Sequence, residues 1–358
     1  MQAEQLISTH RGAPDNPANR FEKIHLEPDA DWNPDDDVDG GRPQGPRTQF
    51  FKDHSQTVIS RNDSPDVGFQ AGLNPYRGCE HGCIYCYARP FHEYLGFSAG
   101  LDFESKIMVK EDAPELLRRE LSSPKWQPQV IFMSGVTDCY QPVERKLKLT
   151  RRCLQVLAEF RNPVFIVTKN RLVTRDLDLL SELARHHAVS VWLSITTLDS
   201  ELRKVMEPRT SPPMSRLAAL RELSAAGIPA GVNVAPIIPG LTDHETPAIL
   251  KAAAEAGATS AGYTIVRLPY AVAPLFEKWL DTHFPGRKEK VLNRLRTMHG
   301  GKLYDAQWGK RFGGEGIFAE QISQMFKVAR RKAGIPGDGA ELSTAPFRRP
   351  GGAQLSLL

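Results

Sequence analysis

Residues 74–90, NPYRGCEHGCIYCYARP, place three cysteines within eight positions, spaced Cys79-x3-Cys83-x2-Cys86. The apolar run at 68–73 just before them reads as a weak strand, so the thiols fall where a strand gives way to a loop. Three thiolates can hold three irons of a [4Fe-4S] cube and leave the fourth iron open, whereas a cluster is normally closed by four cysteines. The competing reading is a zinc site in which these cysteines share an ion with His81 or His92. Zinc sites usually repeat a Cys/His pair elsewhere, and the chain has no second pair. Gly78 and Gly82 let the loop turn tightly without Cβ clashes. Five cysteines, three of them crowded together, fit cluster or metal ligation in a reducing compartment better than a disulfide framework.

Outward from this loop, short β-rich runs alternate with stretches of helical period. The runs are VIFMSG near 130, VFIVTK near 164, VSVWLSI near 189, AGVNVAPI near 230 and GYTIVR near 262; the helical stretches cover 144–160, 174–186, 215–226 and 245–256. With the strand before the cysteines this makes about six β/α units, hence an α/β fold whose parallel sheet curls into a full or partial barrel. Functional residues then belong just after the strands.

The cysteine spacing, with Tyr85 directly before the last thiol, resembles the radical S-adenosylmethionine (SAM) superfamily. The segments NPYRGC, TDCYQPVE, VTKN and LSITT together look most like its branch containing spore photoproduct lyase and the DNA repair photolyase-like proteins; IIPGLTDHE also fits, and the likeness runs from about 68 to 284. The resemblance implies a partial (β/α)6 TIM-like barrel, a [4Fe-4S] cluster on Cys79, Cys83 and Cys86, and SAM bound to the open iron by its amino and carboxylate groups. It implies Tyr85 in the cofactor site, Ser134, Gly135, Thr137 and Asp138 beside the SAM amino group, Lys169 on its carboxylate, and Ser194 and Thr196 near the ribose or methionyl group. Ordinary turn chemistry, a solvated lysine and β-propensity are the plainer readings of those residues. Glu207 and Arg209, in MEPRT, read as a mutual salt bridge ordering their loop. Reduction of SAM would give methionine and a 5′-deoxyadenosyl radical, with the electron drawn from a flavodoxin or ferredoxin.

One position departs from the lyase pattern: the hydrogen-donor cysteine expected directly before the Thr-Asp pair is Val136 here. Cys139, on the other side of that pair, reads as a displaced catalytic thiol or, as often for a cysteine, a small buried hydrophobe, and Cys153 as a core residue. Three function classes follow. The first is a radical enzyme acting on nucleic acid, favoured by the branch resemblance and by Tyr304, Trp308 and Phe312 among basic residues, although core packing is the plainer reading of those rings. The second is radical modification of a peptide or small molecule, and the third a non-catalytic zinc-binding interaction module. The glycine-rich GGKLYDAQWGKRFGGEGIF lacks the arrangement of a nucleotide-binding P-loop.

Bulk properties set the frame. The net charge of +4 hides an acidic start, since residues 1–57 hold 11 acidic and 6 basic residues. From 286 to the end there are 14 basic and 6 acidic residues, an excess that admits a polyanion partner without specifying one. No apolar run reaches the roughly 18 residues of a membrane span, and the start has no signal-peptide core, so a cytoplasmic protein without membrane contact is expected. Composition divides the chain into a polar, flexible N-terminal tail (1–57), a barrel (58–285), a basic extension packing on it (286–334) and a flexible C-terminal tail (335–358). The last five residues, Gln354, Leu355, Ser356, Leu357 and Leu358, resemble the short peptides that dock on the bacterial β sliding clamp, with Arg348 and Arg349 upstream to steer toward an acidic surface.

Overall fold

A computed structural model describes residues 11–21, 46–336 and 339–350. Its strands are β1 (Gln49–Lys52), β2 (Ile59–Arg61), β3 (Ala71–Leu73), β4 (Tyr76–Arg77), β5 (Lys106–Val109), β6 (Ile131–Met133), β7 (Val164–Thr168), β8 (Val189–Ser194), β9 (Ala230–Ile237) and β10 (Ser260–Ile265). Strands β3, β6, β7, β8, β9 and β10 lie side by side and parallel, with β2 antiparallel on the outer edge of β3. These six parallel strands are the partial barrel that the alternating pattern predicts. Helices cover the outside, so the strand residues are buried or half-buried: β8 has five of its six residues buried, while β7 alternates buried with half-buried.

The helices are amphipathic in the expected register. Leu149–Phe160 buries Leu149, Cys153, Leu154, Val156, Leu157 and Phe160 along one stripe, so Cys153 is a core residue as read. The single helix anticipated over 144–160 is two, Glu144–Leu147 and Leu149–Phe160, because Lys148 takes a left-handed φ of 53° between them. No helix among the described residues is long and apolar enough to cross a membrane.

The ends of the chain correct the expectation of simple tails. Residues 11–21 dock beside the cysteine loop: Ala13 is 1% and Asn19 3% exposed. Strand β1 pairs with β5 in a second sheet, ordered β1-β5-β4, whose last member leads into the cysteines. The extension carries helices Pro285–Met298 and Ile317–Lys332, the latter packed on Thr246–Glu255. Its glycine-rich connection spans the open seam of the barrel: Phe312 O accepts from Ile265 N beside β10 (2.9 Å), while Gly309 N (2.6 Å) and Arg311 Nε (2.6 Å) donate to Asp66 in the β2–β3 hairpin. Near the C-terminus, Ser343 N bonds His187 O, Arg348 bonds Phe160 O and Glu159 O, and Arg349 bonds Ser123 O and Trp126 O. Arg348 and Arg349 are therefore held on the barrel by backbone carbonyls, with their side chains still exposed. The segment Gln354 to Leu358 lies outside the described residues.

Candidate active site

The loop after β3 is drawn inward. Cys79 and Cys83 are each 7% exposed, Cys86 is half-buried, and all three are free thiols close enough to feel one another's charge. Burial pushes each thiol's pKa up, and Asp138 beside Cys79 and Glu207 beside Cys83 push the same way. Thiolates in such a place need a compensating cation, which suits metal ligands rather than a free nucleophile.

Around the loop stands a rigid shell. Arg89, fully buried, donates from Nε and a terminal nitrogen to Cys83 O (3.1 and 2.9 Å), and its charge is met by the buried Glu104. Glu104 also accepts the backbone N–H groups of Gly12 and Ala13, both at 2.8 Å. A Cβ on Gly12 would stand 1.6 Å from Gly82 O, so only glycine lets the N-terminal segment lie this close.

The inner wall is built by the strand ends. Tyr85 donates its hydroxyl to Glu207 and lies 3.2 Å from Thr196 Oγ1, which donates to Ala235 O on β9 (2.9 Å). Lys169 Nζ donates to the same carbonyl (2.9 Å) and stands 3.7 Å from Glu207 Oε1. Glu207 is also paired with the buried Arg216, whose NH1 donates to Ser194 O at 2.8 Å. Burial would raise the Glu207 pKa, but the Arg216 and Lys169 charges outweigh it and hold the carboxyl at about 2. The Glu207–Arg209 bridge anticipated from sequence is absent. Arg209 pairs instead with Glu80 (3.1 Å), because the chain between them turns Arg209 outward over the cysteine loop.

The loop after β6 braces the cysteines. Thr137 Oγ1 donates to Gly78 O (2.6 Å), and Gln141 bridges Gly78 O and Glu80 N. Asp138 accepts from Thr168 Oγ1 (2.7 Å) and Lys169 N (2.8 Å) and lies 3.3 Å from His81 Nδ1. Burial opposes its charge, yet His81 and these hydrogen bonds lower its pKa. Ser134 Oγ accepts from Cys139 N (2.9 Å), and Gly135 O accepts from the Tyr87 hydroxyl (2.6 Å). Cys139 has no exposure and belongs to the main core, while Val136 packs beside Cys79 and Cys86. Cys139, one candidate for a catalytic thiol, has the Ser134 side chain and Asp138 as its polar neighbours, and burial pushes its pKa up. The zinc arrangement is not formed. His81 is taken by Asp138 and Asn170, His92 is packed against Phe97 and Phe103, and among the described residues no three His, Cys, Asp or Glu side chains converge on one ion position.

Residues 73–253, about half the chain, match the Radical SAM superfamily. The chain belongs to the radical SAM superfamily. It is an enzyme of a family that uses a [4Fe-4S] cluster and SAM and needs an electron donor. An uncharacterized protein of Mycobacterium tuberculosis is 36% identical over 233 residues, covering 64% of this chain and 67% of that protein. The Radical SAM Nalpha-GlyT isomerase of Pseudomonas phage M6 is 25% identical over 226 residues, 62% of this chain and 45% of that protein. The solved structure of spore photoproduct lyase complexed with dinucleoside spore photoproduct superposes with a TM-score of 0.55 at 16% identity, over 79% of this chain and 77% of that one, which establishes a shared fold.

The donor set fits the radical SAM cofactors. Three free thiols crowd one buried loop, while the other two cysteines, Cys139 and Cys153, are buried in the core elsewhere. Sequence reasoning missed Arg216, Glu104 and Arg89 as parts of this site. Arg216 carried a faint signal, a charged residue on the buried face of helix Pro213–Ala225 beside Leu217 and Leu220.

Proposed function

We propose that this chain cleaves SAM reductively at a [4Fe-4S] cluster on Cys79, Cys83 and Cys86, and that the resulting 5′-deoxyadenosyl radical acts on nucleic acid. The observation that carries the first half is the inward-drawn cysteine triplet at the C-terminal end of β3, facing the Tyr85–Glu207–Arg216 network. The bound cluster would supply the electron that breaks the SAM carbon–sulfur bond. Lys169 offers an ammonium group to the SAM carboxylate, and Glu207 keeps that charge fixed in position. Thr196 and Ser194 lie within the same wall for the ribose or methionyl group, and Ser134, Gly135, Thr137 and Asp138 shape the loop beside the amino group. The packed wall excludes water.

Nucleic acid is favoured as substrate class by the fold shared with spore photoproduct lyase and by basic residues at the strand ends. A cavity of about 460 Å³ is lined by Asn170, Arg145, Ser211 and Ser215 together with Arg171 and Arg175, which pair with Glu222 and with Glu144 and Asp176; Arg145 and the hydroxyls are the groups it offers a phosphate. Val136 replaces the lyase's donor thiol, so repair of the spore photoproduct itself is not part of the proposal. A flavodoxin or ferredoxin is the proposed donor, the cytoplasm the proposed location, and Gln354 to Leu358 a proposed β sliding clamp peptide.

The test is anaerobic reconstitution followed by reduction with dithionite in the presence of SAM. Formation of 5′-deoxyadenosine is expected even without substrate, and crosslinking should capture oligonucleotides in preference to peptides. No 5′-deoxyadenosine would sink the SAM reading; capture of peptides alone would move the substrate class to peptide modification.

A further inference from the structure

The cysteine loop is sealed from solvent almost everywhere. Between Cys79 and Leu95 the exposed residues are Tyr87, Phe91 and Tyr94, every one aromatic. Tyr87 turns toward the strand ends, with its hydroxyl on Gly135 O and Arg267 over its ring at 4.1 Å. Phe91 and Tyr94 face the other way, on the 3-10 helix Arg89–Leu95 that begins three residues after Cys86. There they meet Phe21 from the N-terminal segment and Tyr270 from the loop after β10.

These rings form one surface. Centroids lie 5.0 Å apart for Phe21–Tyr94 and 6.5 Å for Phe91–Tyr94, and the Arg20 guanidinium stands 4.8, 5.4 and 3.9 Å from the rings of Phe21, Tyr94 and Tyr270. The four aromatics are 52%, 51%, 67% and 66% exposed in the order Phe21, Phe91, Tyr94, Tyr270. Exposed rings gathered from three distant segments mark an interaction surface rather than a solvated one, and aromatic residues around an arginine are the composition of binding hot spots. Arg20 is 27% exposed and pairs at 2.9 Å with Glu93, which is 1% exposed beneath it, so the charge at the centre of the patch is compensated and its outer face is apolar. Asn19 fixes this geometry by donating to Glu93 O and Phe97 O, both at 3.0 Å.

We propose that Arg20, Phe21, Phe91, Tyr94 and Tyr270 are the docking platform for a small electron-carrier protein that meets them with an apolar face. The carrier gives up one electron there and is oxidised, and the adjoining cluster gains that electron and is reduced. The inference rests on the radical SAM reading, since it needs a cluster on the cysteines behind the patch. The remaining thiols, Cys139 and Cys153, are fully buried, so neither offers a surface entry point for the electron. A protein fits better than a nucleic-acid strand, which requires a basic track for its phosphates. Here both cations are already paired, Arg20 with Glu93 and Lys278 with Asp15, so the patch offers no such track.

The experiment compares two reductants on reconstituted full-length protein, following loss of the cluster absorbance near 400 nm. Bacterial flavodoxin kept reduced by its reductase and NADPH must dock; dithionite need not. In the Phe91→Ser/Tyr94→Ser variant the flavodoxin-driven rate should fall at least about tenfold, with iron content and the dithionite rate unchanged. Tyr270→Ser, on a separate loop, should slow flavodoxin alone in the same way and covers the case in which the double variant misfolds. An unchanged flavodoxin rate in both overturns the platform, as does loss of oligonucleotide binding with flavodoxin reduction intact. Wild-type protein that holds no iron would instead overturn the cluster assignment beneath the proposal, and the dithionite control distinguishes the two failures.

Discussion

Glu207 keeps its charge with no exposure at all, because Arg216, Lys169 and the Tyr85 hydroxyl surround it. Glu207→Gln preserves the shape but leaves Arg216 buried without its counter-ion, which costs about 3–5 kcal/mol when one partner of a buried pair is removed. Urea unfolding of the apo protein near neutral pH should show that loss; a midpoint unchanged within error would mean the pair contributes nothing. The sign with pH follows from a folded pKa near 2 against an ordinary 4.5. The pair's contribution is complete above about pH 4.5 and disappears as pH falls through about 2, so the gap between wild type and variant should close over that window. For the thiols, Cys79→Ala, Cys83→Ala and Cys86→Ala should each lose the cluster, while Cys139→Ala and Cys153→Ala keep it. Iron and sulfide analysis decides, and full iron in any of the first three removes the assignment. The triplet was legible because its spacing is local. Glu104 was not, because its partners come from a distant part of the chain, 91 and 92 positions away, and Arg216 was not, because the turn that brings Glu207 and Thr210 back onto its helix leaves no periodic pattern.

At the scale of elements, the N-terminal segment RGAPDNPANRF is where composition misleads. Its prolines, glycine and polar residues give no helical or strand period, and such composition ordinarily means a solvated tail. What holds it is a set of backbone and amide hydrogen bonds to Glu104, Glu93 and Phe97, which no periodicity announces. Strands β6, β7, β8, β9 and β10, by contrast, fall on the runs picked from sequence, since buried parallel strands are continuously apolar. Strands β1, β4 and β5 are two to four residues long and leave no such run. The segment's docking has a direct test in Gly12→Val, whose Cβ would collide with Gly82 O. The expected outcome is faster bleaching of the cluster in air and new trypsin cleavage after Arg11 or Arg20, with circular dichroism unchanged. Identical bleaching and cleavage would show that the segment does not shield the loop.

At the scale of the molecule, the two ends of the barrel are used differently. The cysteine loop, Lys169 and Thr196 all follow the C-terminal ends of strands, while Phe347 to Arg349 lie across the opposite end, against Trp126, Phe160 and the turns that precede β6 and β7. The sequence pattern specified the barrel and its active end; it could not reveal that the C-terminal stretch is pinned, because Gly/Pro-rich segments are held by backbone carbonyls rather than by side-chain periodicity. Pinning changes how the proposed clamp peptide works. With Arg348 and Arg349 hydrogen-bonded to barrel carbonyls, the motif proposed for Gln354 to Leu358 would bind through its own apolar and amide groups. Deleting those five residues should therefore abolish pull-down by purified clamp and leave SAM cleavage at the wild-type rate. A peptide covering 348–358 should bind clamp in the micromolar range, about −8 kcal/mol, and its Arg348→Ala/Arg349→Ala version should bind comparably. If clamp capture survives the deletion, or if the peptide binds only through its arginines, the C-terminal residues are not a clamp motif and the nucleic-acid reading stands on the fold and the basic cavity alone.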